Sequence, residues 1–567
     1  MQLGDTNRNG DFFRLHGPPG CGKSTALATR WIPGAAERYG HDQVVVCSLT
    51  RTAAAEIASR GLPIPDENAG TLHALAFRAL RKPPLCVSGS DMGNEWDETY
   101  PEWRLGYRGA EEAFEAGLEV PDPMERHMQA MGATSELIWA EIEVRRHRMV
   151  PLQKWSEEAR ACFQAWKKFL LKHGANDFTG LIETALEETV CAPGNPRVLI
   201  VDEAQDCSAL ELALVHKWAE HAQTLVLAGD GDQAIYGFRG AHPRAFYSGN
   251  ATKDYELNQS YRVSQMVHAE ASRWIQLAED RYPVEYRPTN VRGDASVNTA
   301  LRYNQPAAVM DSVYEDVNAG LTVMVLTTSG YMLDPILDCF RAEGLAFHNP
   351  YRTEGKNSAA WNPLRRINPL RALFRPIKEK GNPLERLWTY SELDVWVRYV
   401  NAKKALLRGA KSSIRATITM ADSTERPYEQ PLPASELTQF IKPEVLDELL
   451  GALSTKQTAN LVAWVRTYFL ARERSKMEPA ISMLLRHGTD VLFRSPSVIT
   501  STCHGVKGGE ADAVYLFPDL SSKARKAWLN PGDARDGIIR TLYVGMTRAR
   551  TKLVLCGASN PRNAVVW

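Results

Sequence analysis

The run Gly17-Pro18-Pro19-Gly20-Cys21-Gly22-Lys23-Ser24 fits the pattern G-x-x-x-x-G-K-[ST]. It follows the apolar stretch Phe12-Phe13-Arg14-Leu15 and precedes a helix start at Thr25-Ala26-Leu27-Ala28. Strand, glycine loop and helix in that order form a phosphate cradle. The glycines let the backbone curl so that its N–H groups face oxyanions, and the helix start adds positive potential. Residues Gly17 to Thr25 are therefore expected to bind a nucleotide. Within them Lys23 reaches the β and γ phosphates, and Ser24 holds Mg²⁺.

A second signal is Val198-Leu199-Ile200-Val201 followed by Asp202-Glu203. Carboxylates at the end of a buried strand are costly unless a cation meets them, and Mg²⁺ with ATP supplies that charge. Asp202 is expected to organise the metal's shell and Glu203 to orient or deprotonate the attacking water. Together the loop and the acids indicate a P-loop ATPase, without saying what the energy drives.

These residues need elements to position them. Short β-branched runs fall in two clusters. The first holds Val44-Val45-Val46, Val198–Val201 and Leu225-Val226-Leu227. The second holds Val323-Met324-Val325-Leu326, Val514-Tyr515-Leu516 and Leu553-Val554-Leu555. Such runs read as strands of parallel sheets covered on both faces, which predicts an α/β protein with two cores. Strand signals fade between Arg81 and Ala175, and again from Pro376 to Thr489, where helical inserts are expected. Trp155, Ala159, Cys162, Trp166 and Phe169 share one helical face and read as a packing stripe. Helical segments are expected at Glu444–Leu453 and Asn460–Glu473.

At 567 residues the chain exceeds one ordinary domain. Its 44% apolar and 24% charged content is that of a globular protein. It has no apolar run of membrane-spanning length and a polar N-terminus, so no membrane partner and a cytoplasmic setting, in a bacterial or phage-infected cell, are expected. Nine scattered cysteines without a C-x-x-C pair suggest neither a zinc site nor a disulfide framework. Zero formal net charge weakly disfavours a uniformly basic coat and leaves room for a local basic groove. The basic stretch Arg365, Arg366, Arg371, Arg375, Lys378, Lys380, Lys403, Lys404, Arg408, Lys411 and Arg415 reads mostly as solvated surface.

Further motifs follow in order. They are Gly70-Thr71-Leu72-His73, Asp177-Phe178, Asp202-Glu203-Ala204-Gln205-Asp206, Gly229 to Ala241 (GDGDQAIYGFRGA), Leu257 to Arg262 (LNQSYR), Thr502 to Glu510 (TCHGVKGGE) and Leu542 to Arg550 (LYVGMTRAR). In sequence and spacing this series resembles the UvrD/Rep/PcrA group of superfamily 1 DNA helicases, from residue 17 to 550. The resemblance implies two tandem RecA-like cores, at 1–80 with 176–265 and at 266–375 with 490–567. The inserts are then 81–175 and 376–489. It implies ATP with Mg²⁺ between the cores, and single-stranded DNA and duplex junctions as substrate. Movement would run 3′ to 5′, and repair or replication proteins, including single-strand-binding ones, are possible partners.

Roles are implied position by position. Gln233 senses the γ phosphate, Arg262 and Arg548 contact it, and Arg548 is the arginine finger. Tyr261 stacks on adenine and Glu510 binds the ribose. Tyr236, Phe238 and Arg239 lie near the bases, with Phe238 stacking on one. Thr50, Thr71, His73 and His504 touch the DNA side, the last three at the phosphodiester backbone. The sequence departs from the family where Leu49 replaces a stacking Phe and Arg51 replaces an Asn, and Gln2 is the only candidate for an adenine-reading glutamine. No strand-separating hairpin can be located, and no nuclease domain is expected. Two other functions fit the same motifs: a translocase that strips bound proteins, and an ATP-gated DNA-binding subunit.

Overall fold

The structure, a computed structural model, describes residues 10–49, 54, 57, 60–105, 133–349, 369–375, 387–421, 431–455 and 457–567. The chain divides into two compact units. One comprises Met1–Thr299, Leu326–Ser329 and Thr502–Trp567; the other comprises Ala300–Val325 and Gly330–Ser501.

The first unit holds a six-stranded sheet in the order β3-β2-β4-β5-β1-β6. Its strands are β1 (Asp11–His16), β2 (Val44–Ser48), β3 (Ala69–Thr71), β4 (Val198–Val201), β5 (Thr224–Gly229) and β6 (Lys253–Glu256), and every pairing is parallel. Alternate side chains of β2, β4 and β5 enter opposite cores. Val45, Cys47, Leu199, Val201, Leu225 and Leu227 pack with Leu75, Leu212 and Trp218. Val44, Val46, Val198, Ile200 and Val226 pack with Leu27, Ile32 and Ala36. Burial on both faces is why these strands read as unbroken apolar runs.

The helix after the phosphate loop runs as α1 (Lys23–Ala26), a π-helical turn at Leu27–Trp31, and α2 (Ile32–Tyr39). Pro33 has no N–H to give the Thr29 carbonyl, so regular α-helical bonding cannot continue through it.

Helix α3 (Leu72–Ala79) follows β3. The helices α4 (Asp91–Thr99), α5 (Ala133–His147) and α6 (Glu157–His173) come next, then α7 (Phe178–Glu188) and α8 (Ala209–Ala219). The stripe Ala159, Cys162, Trp166 and Phe169 is buried as expected, among Trp96, Trp139 and Ile142. Trp155 joins that core but precedes the helix. It closes the 3-10 turn Leu152–Lys154, its indole N–H bonds the Val150 carbonyl at 2.8 Å, and Ser156 caps α6 after it.

The first unit also carries β7 (Asp294–Asn298), β11 (Ala511–Leu516) and β12 (Ala549–Cys556) of a second parallel sheet, with β12 between the other two. Strand β8 (Val323–Thr327) crosses the division between the units. In the second unit β9 (Phe347–His348) pairs in parallel with β10 (Val498–Thr502). The rest of that unit is largely helical around a core that includes Leu373, Trp388, Trp396, Leu449, Trp464 and Ile481. The helix expected at Glu444–Leu453 spans Pro443–Thr455. The one expected at Asn460–Glu473 is instead two, Thr458–Tyr468 and Ala471–His487. Phe469 adopts extended backbone between them and turns into the core, 2% exposed.

Of the basic stretch, Lys403, Lys404 and Arg408 are exposed, and Lys411 caps the carbonyls of Arg398 and Val400. Arg415 lies 3.5 Å from Asp394, and Arg375 pairs with Glu392. Arg365, Arg366, Lys378 and Lys380 lie outside the described residues. Among the described residues no helix is long and apolar enough to cross a membrane.

Candidate nucleotide and nucleic-acid site

The phosphate loop leaves the C-terminal end of β1, between β5 and the edge strand β6 of the first sheet. Gly20 and Gly22 have φ of +74° and +78°, a conformation that favours glycine. A Cβ on Gly20 would stand 2.5 Å from Cβ of Arg262, so the loop also needs glycine for close approach. The Pro19 carbonyl accepts from Ser260 Oγ and Tyr286 Oη, each at 3.0 Å. The Tyr261 N–H bonds the Gly20 carbonyl at 2.9 Å, and the Tyr261 ring is 79% exposed beside Gly22. An exposed ring at the rim of the loop is where a base platform would stand. Thr25 accepts from Arg60 at 3.0 Å. Cys21 is buried, which pushes its thiol up to about 12, so it stays protonated and unreactive.

Lys23 is buried, and its ammonium bonds the Gly17 carbonyl at 2.5 Å. Ser24 Oγ donates to Asp202 Oδ2 at 2.8 Å. Asp202 sits at the end of β4, 1% exposed. Burial and the adjacent Glu203 hold its carboxyl above the usual carboxylate range. Glu203 behaves oppositely: burial alone would raise it, but Lys507 and Lys23 outweigh that and hold it ionised. One acid of the pair is thus set to carry charge, while the other, beside a serine hydroxyl, needs a cation to do so. That donor set suits Mg²⁺, which takes one or two protein oxygens and leaves the rest to phosphate and water.

Gln205 locks this corner. Its amide donates to Glu203 Oε2 at 2.5 Å, and its carbonyl oxygen accepts from the Asp230 N–H at 3.0 Å. Glu203 itself is left-handed, at φ +54°. Gln233 stands in a 3-10 turn after β5, and its amide donates to Asp230 Oδ2 at 2.7 Å.

Residues from the end of the chain complete the same site. Arg548 is 1% exposed. Its guanidinium donates to Gln233 Oε1 at 3.0 Å, the Val544 carbonyl at 3.0 Å and the Gly509 carbonyl at 3.1 Å. Burial and Arg262 lower it to about 10, so it is cationic at neutral pH. Arg262 bonds Glu510 at 2.5 Å, and Arg550 pairs with the same carboxylate. Arg262, whose Cβ lies beside Gly20, therefore stands at the loop with its charge met by Glu510. Lys507 pairs with Asp206, donates to the Gln233 carbonyl at 2.9 Å and lies 3.7 Å from Glu203.

The residues assigned to DNA divide. Tyr236, Arg239 and His504 are half-buried. The Tyr236 ring lies 6.4 Å from that of His504, with the Lys507 ammonium 5.7 Å from its centroid. His73, assigned to the phosphodiester backbone, is 0% exposed and stacks on Phe178 at 3.8 Å, and burial drives its pKa far down. Thr71 is likewise 3% exposed, and its hydroxyl caps α3 by accepting from the Ala74 N–H at 3.1 Å. Leu49 is buried, so no platform stands there. Thr50, Arg51 and Gln2 lie outside the described residues, as does the side chain of Phe238.

The family model of the UvrD/REP helicase N-terminal domain matches residues 14–255, and that of the UvrD-like helicase C-terminal domain matches residues 497–556. The chain belongs to the UvrD/Rep-like helicases. Among curated relatives of this family, it is 23% identical over 304 residues to a Bacillus subtilis (strain 168) protein named "Putative ATP-dependent DNA helicase YjcD". That match covers 49% of this chain and 38% of the relative. It is 29% identical to "ATP-dependent DNA helicase PcrA" of Leuconostoc citreum, over 25% of this chain and 20% of that one. A "Probable DNA helicase II homolog" of Mycoplasma pneumoniae is 20% identical over 97% of this chain and 82% of its own length. The first two matches thus span well under half the length of those relatives.

Within this UvrD/Rep-like site, Lys507, Gln205 and Asp206 also act, which the sequence alone does not assign. Their positions inside the motifs were the available signal. The pairing of Lys507 with Asp206, and of Gln205 with Asp230, joins residues far apart in the chain.

Proposed function

We propose that this chain is an ATP-driven helicase that tracks 3′ to 5′ along single-stranded DNA and opens duplex at junctions. The observation that carries this reading is Gln233. Its side chain holds Arg548, its backbone carbonyl holds Lys507, and its own segment continues within a few residues to Tyr236 and Arg239. One short turn thus ties the acids beside the phosphate loop to the aromatic and basic residues assigned to the strand.

In this reading the two sheets are two RecA-like cores, at 1–80 with 176–265 and at 266–375 with 490–567, carrying inserts at 81–175 and 376–489. Lys23, Ser24 and Asp202 would hold Mg²⁺ and ATP, which together supply the scissile phosphoanhydride and the charge that the buried acids require. Glu203, kept ionised by Lys507 and Lys23, takes a proton from the attacking water. Arg548 and Arg262 face charge that develops on the transferred phosphoryl group, for which a planar permanent cation is suited. Tyr261 offers its exposed face to the base. Gln233 passes the state of the phosphates to Tyr236 and Arg239, so grip on the strand alternates with hydrolysis.

ATP hydrolysis measured with and without a single-stranded oligonucleotide, with Lys23→Ala as the blank, tests the reading. Strong stimulation abolished by Lys23→Ala is expected. Hydrolysis indifferent to DNA would exclude a strand-coupled motor. Duplexes bearing a 3′ or a 5′ tail then decide polarity.

A further inference from the structure

Helix α5 ends on His147, 4% exposed, in a buried polar chain that the proposed reaction does not use. Ser208 Oγ lies 3.0 Å from His147 Nδ1. On the other side of the ring, Nε2 lies 3.4 Å from Thr179 Oγ1, whose hydroxyl donates to Glu143 Oε2 at 2.6 Å. A neutral ring protonated on Nε2 satisfies this chain: it accepts from Ser208 and donates to Thr179. Burial supports that form, lowering the ring to about 3.

What His147 touches gives it more than a packing role. Ser208 stands two residues after Asp206 and opens α8 through a capping box with Glu211. Ser208 also forms a backbone bridge with Ala241, at the end of the segment that carries Tyr236 and Arg239. Gly240 in that segment, at φ +92°, rests against α5 so closely that a Cβ there would meet the His147 Cβ at 2.6 Å. His147 at the end of an inserted helix therefore bonds, through its ring, the segment that follows the catalytic acids, and packs, through its Cβ, against the segment assigned to DNA.

We propose that His147 is a positioning residue that couples strand binding at Tyr236–Ala241 to the acids at Asp202–Asp206, with helix α5 as its rigid support. The inference rests on reading the site as a DNA-stimulated ATPase. Removing the ring takes away the side-chain tie from α5 to Ser208 and leaves the Ser208–Ala241 backbone bridge as the remaining link between the two segments. The acids and the phosphate loop keep their own contacts, so hydrolysis without DNA is retained.

The test compares His147→Ala and His147→Asn with the wild-type chain. The readouts are ATP hydrolysis without and with a single-stranded oligonucleotide, and oligonucleotide affinity by fluorescence anisotropy. In His147→Ala the stimulation factor falls roughly three- to tenfold, the range of one hydrogen bond, while basal rate and affinity stay near wild type. His147→Asn, whose amide can still meet Ser208 Oγ, recovers most of the stimulation. Full stimulation in His147→Ala overturns the proposal, as does an equal loss of basal and stimulated rates in both variants. If His147→Ala does not fold, Thr179→Val decides: reduced stimulation supports the coupling and unchanged stimulation overturns it. A wild-type chain indifferent to DNA removes the functional reading and this inference with it.

Discussion

At the residue scale, charge compensation decides most of the site. Asp206 is 3% exposed and pairs with Lys507, yet burial still pushes its carboxyl up to about 6. Lys507→Met would leave this carboxylate without its cation. We expect a loss of about 3 kcal/mol of stability, the lower end for a broken buried pair, because Asp206 can take up a proton. Hydrolysis falls as well, since Lys507 also helps hold Glu203 ionised. Urea denaturation of Lys507→Met, Asp206→Asn and the double variant checks the pairing: the double variant is less damaged than the sum of the singles, and strict additivity would sink the claim. The phosphate loop and Asp202-Glu203 were legible in the sequence because their chemistry is local, a glycine loop and acids ending a strand. The packing of His73 was not. Its neighbour Phe178 arrives from over a hundred residues away, and nothing at Gly70–His73 announces a ring stacked at 3.8 Å.

At the scale of elements, the junction of α5, α6 and α7 is held by buried charge. Arg146 bonds Asp177 at 2.6 and 2.8 Å and Glu183 at 2.9 Å, and Asp177 also accepts from the Trp166 indole and caps α7 at Gly180. Burial opposes the Asp177 charge, but Arg146 wins and holds the carboxyl below its usual range. Its stabilisation is therefore complete above the unfolded value of about 3.9 and is lost only as pH falls through the lower folded value. His147, one residue from Arg146, works over a different window. Its folded value is about 3, against about 6.5 unfolded. The unfolded chain therefore binds the extra proton between those values, and stability drains as pH drops below about 6.5. Between pH 7 and 5 Asp177 contributes no change, whereas His147 does, alongside the likewise buried His73. Thermal melts at those two pH values should show a smaller fall in Tm for His147→Asn than for wild type; equal falls would refute the assignment. The same scale shows where periodicity misleads. Apolar spacing ran across Trp155 and Phe469 because both are buried, yet each lies where backbone direction changes. Burial sets the apolar pattern, whereas caps and extended residues set the boundaries.

At the scale of the whole molecule, the chain has more than one hydrophobic core. All the residues assigned to nucleotide belong to the first unit. The second unit has its own helical core, in which Trp396 is fully buried, 5.1 Å from the Trp388 ring and 6.1 Å from that of Trp464. Chains with separate cores need not unfold in one step. Truncating a buried tryptophan costs about 3–5 kcal/mol, through lost burial and the cavity left behind. In Trp396→Ala that loss is confined to the second core, since distant substitutions without shared partners act independently. Calorimetry should then show one transition moving down while the other holds its temperature. Hydrolysis without DNA, measured below the first transition, should stay within about twofold of wild type, the scatter of non-coupled sites. A single cooperative transition that shifts as a whole would mean that the two cores share their stability, and a matching loss of basal hydrolysis would make the helical core part of the ATPase.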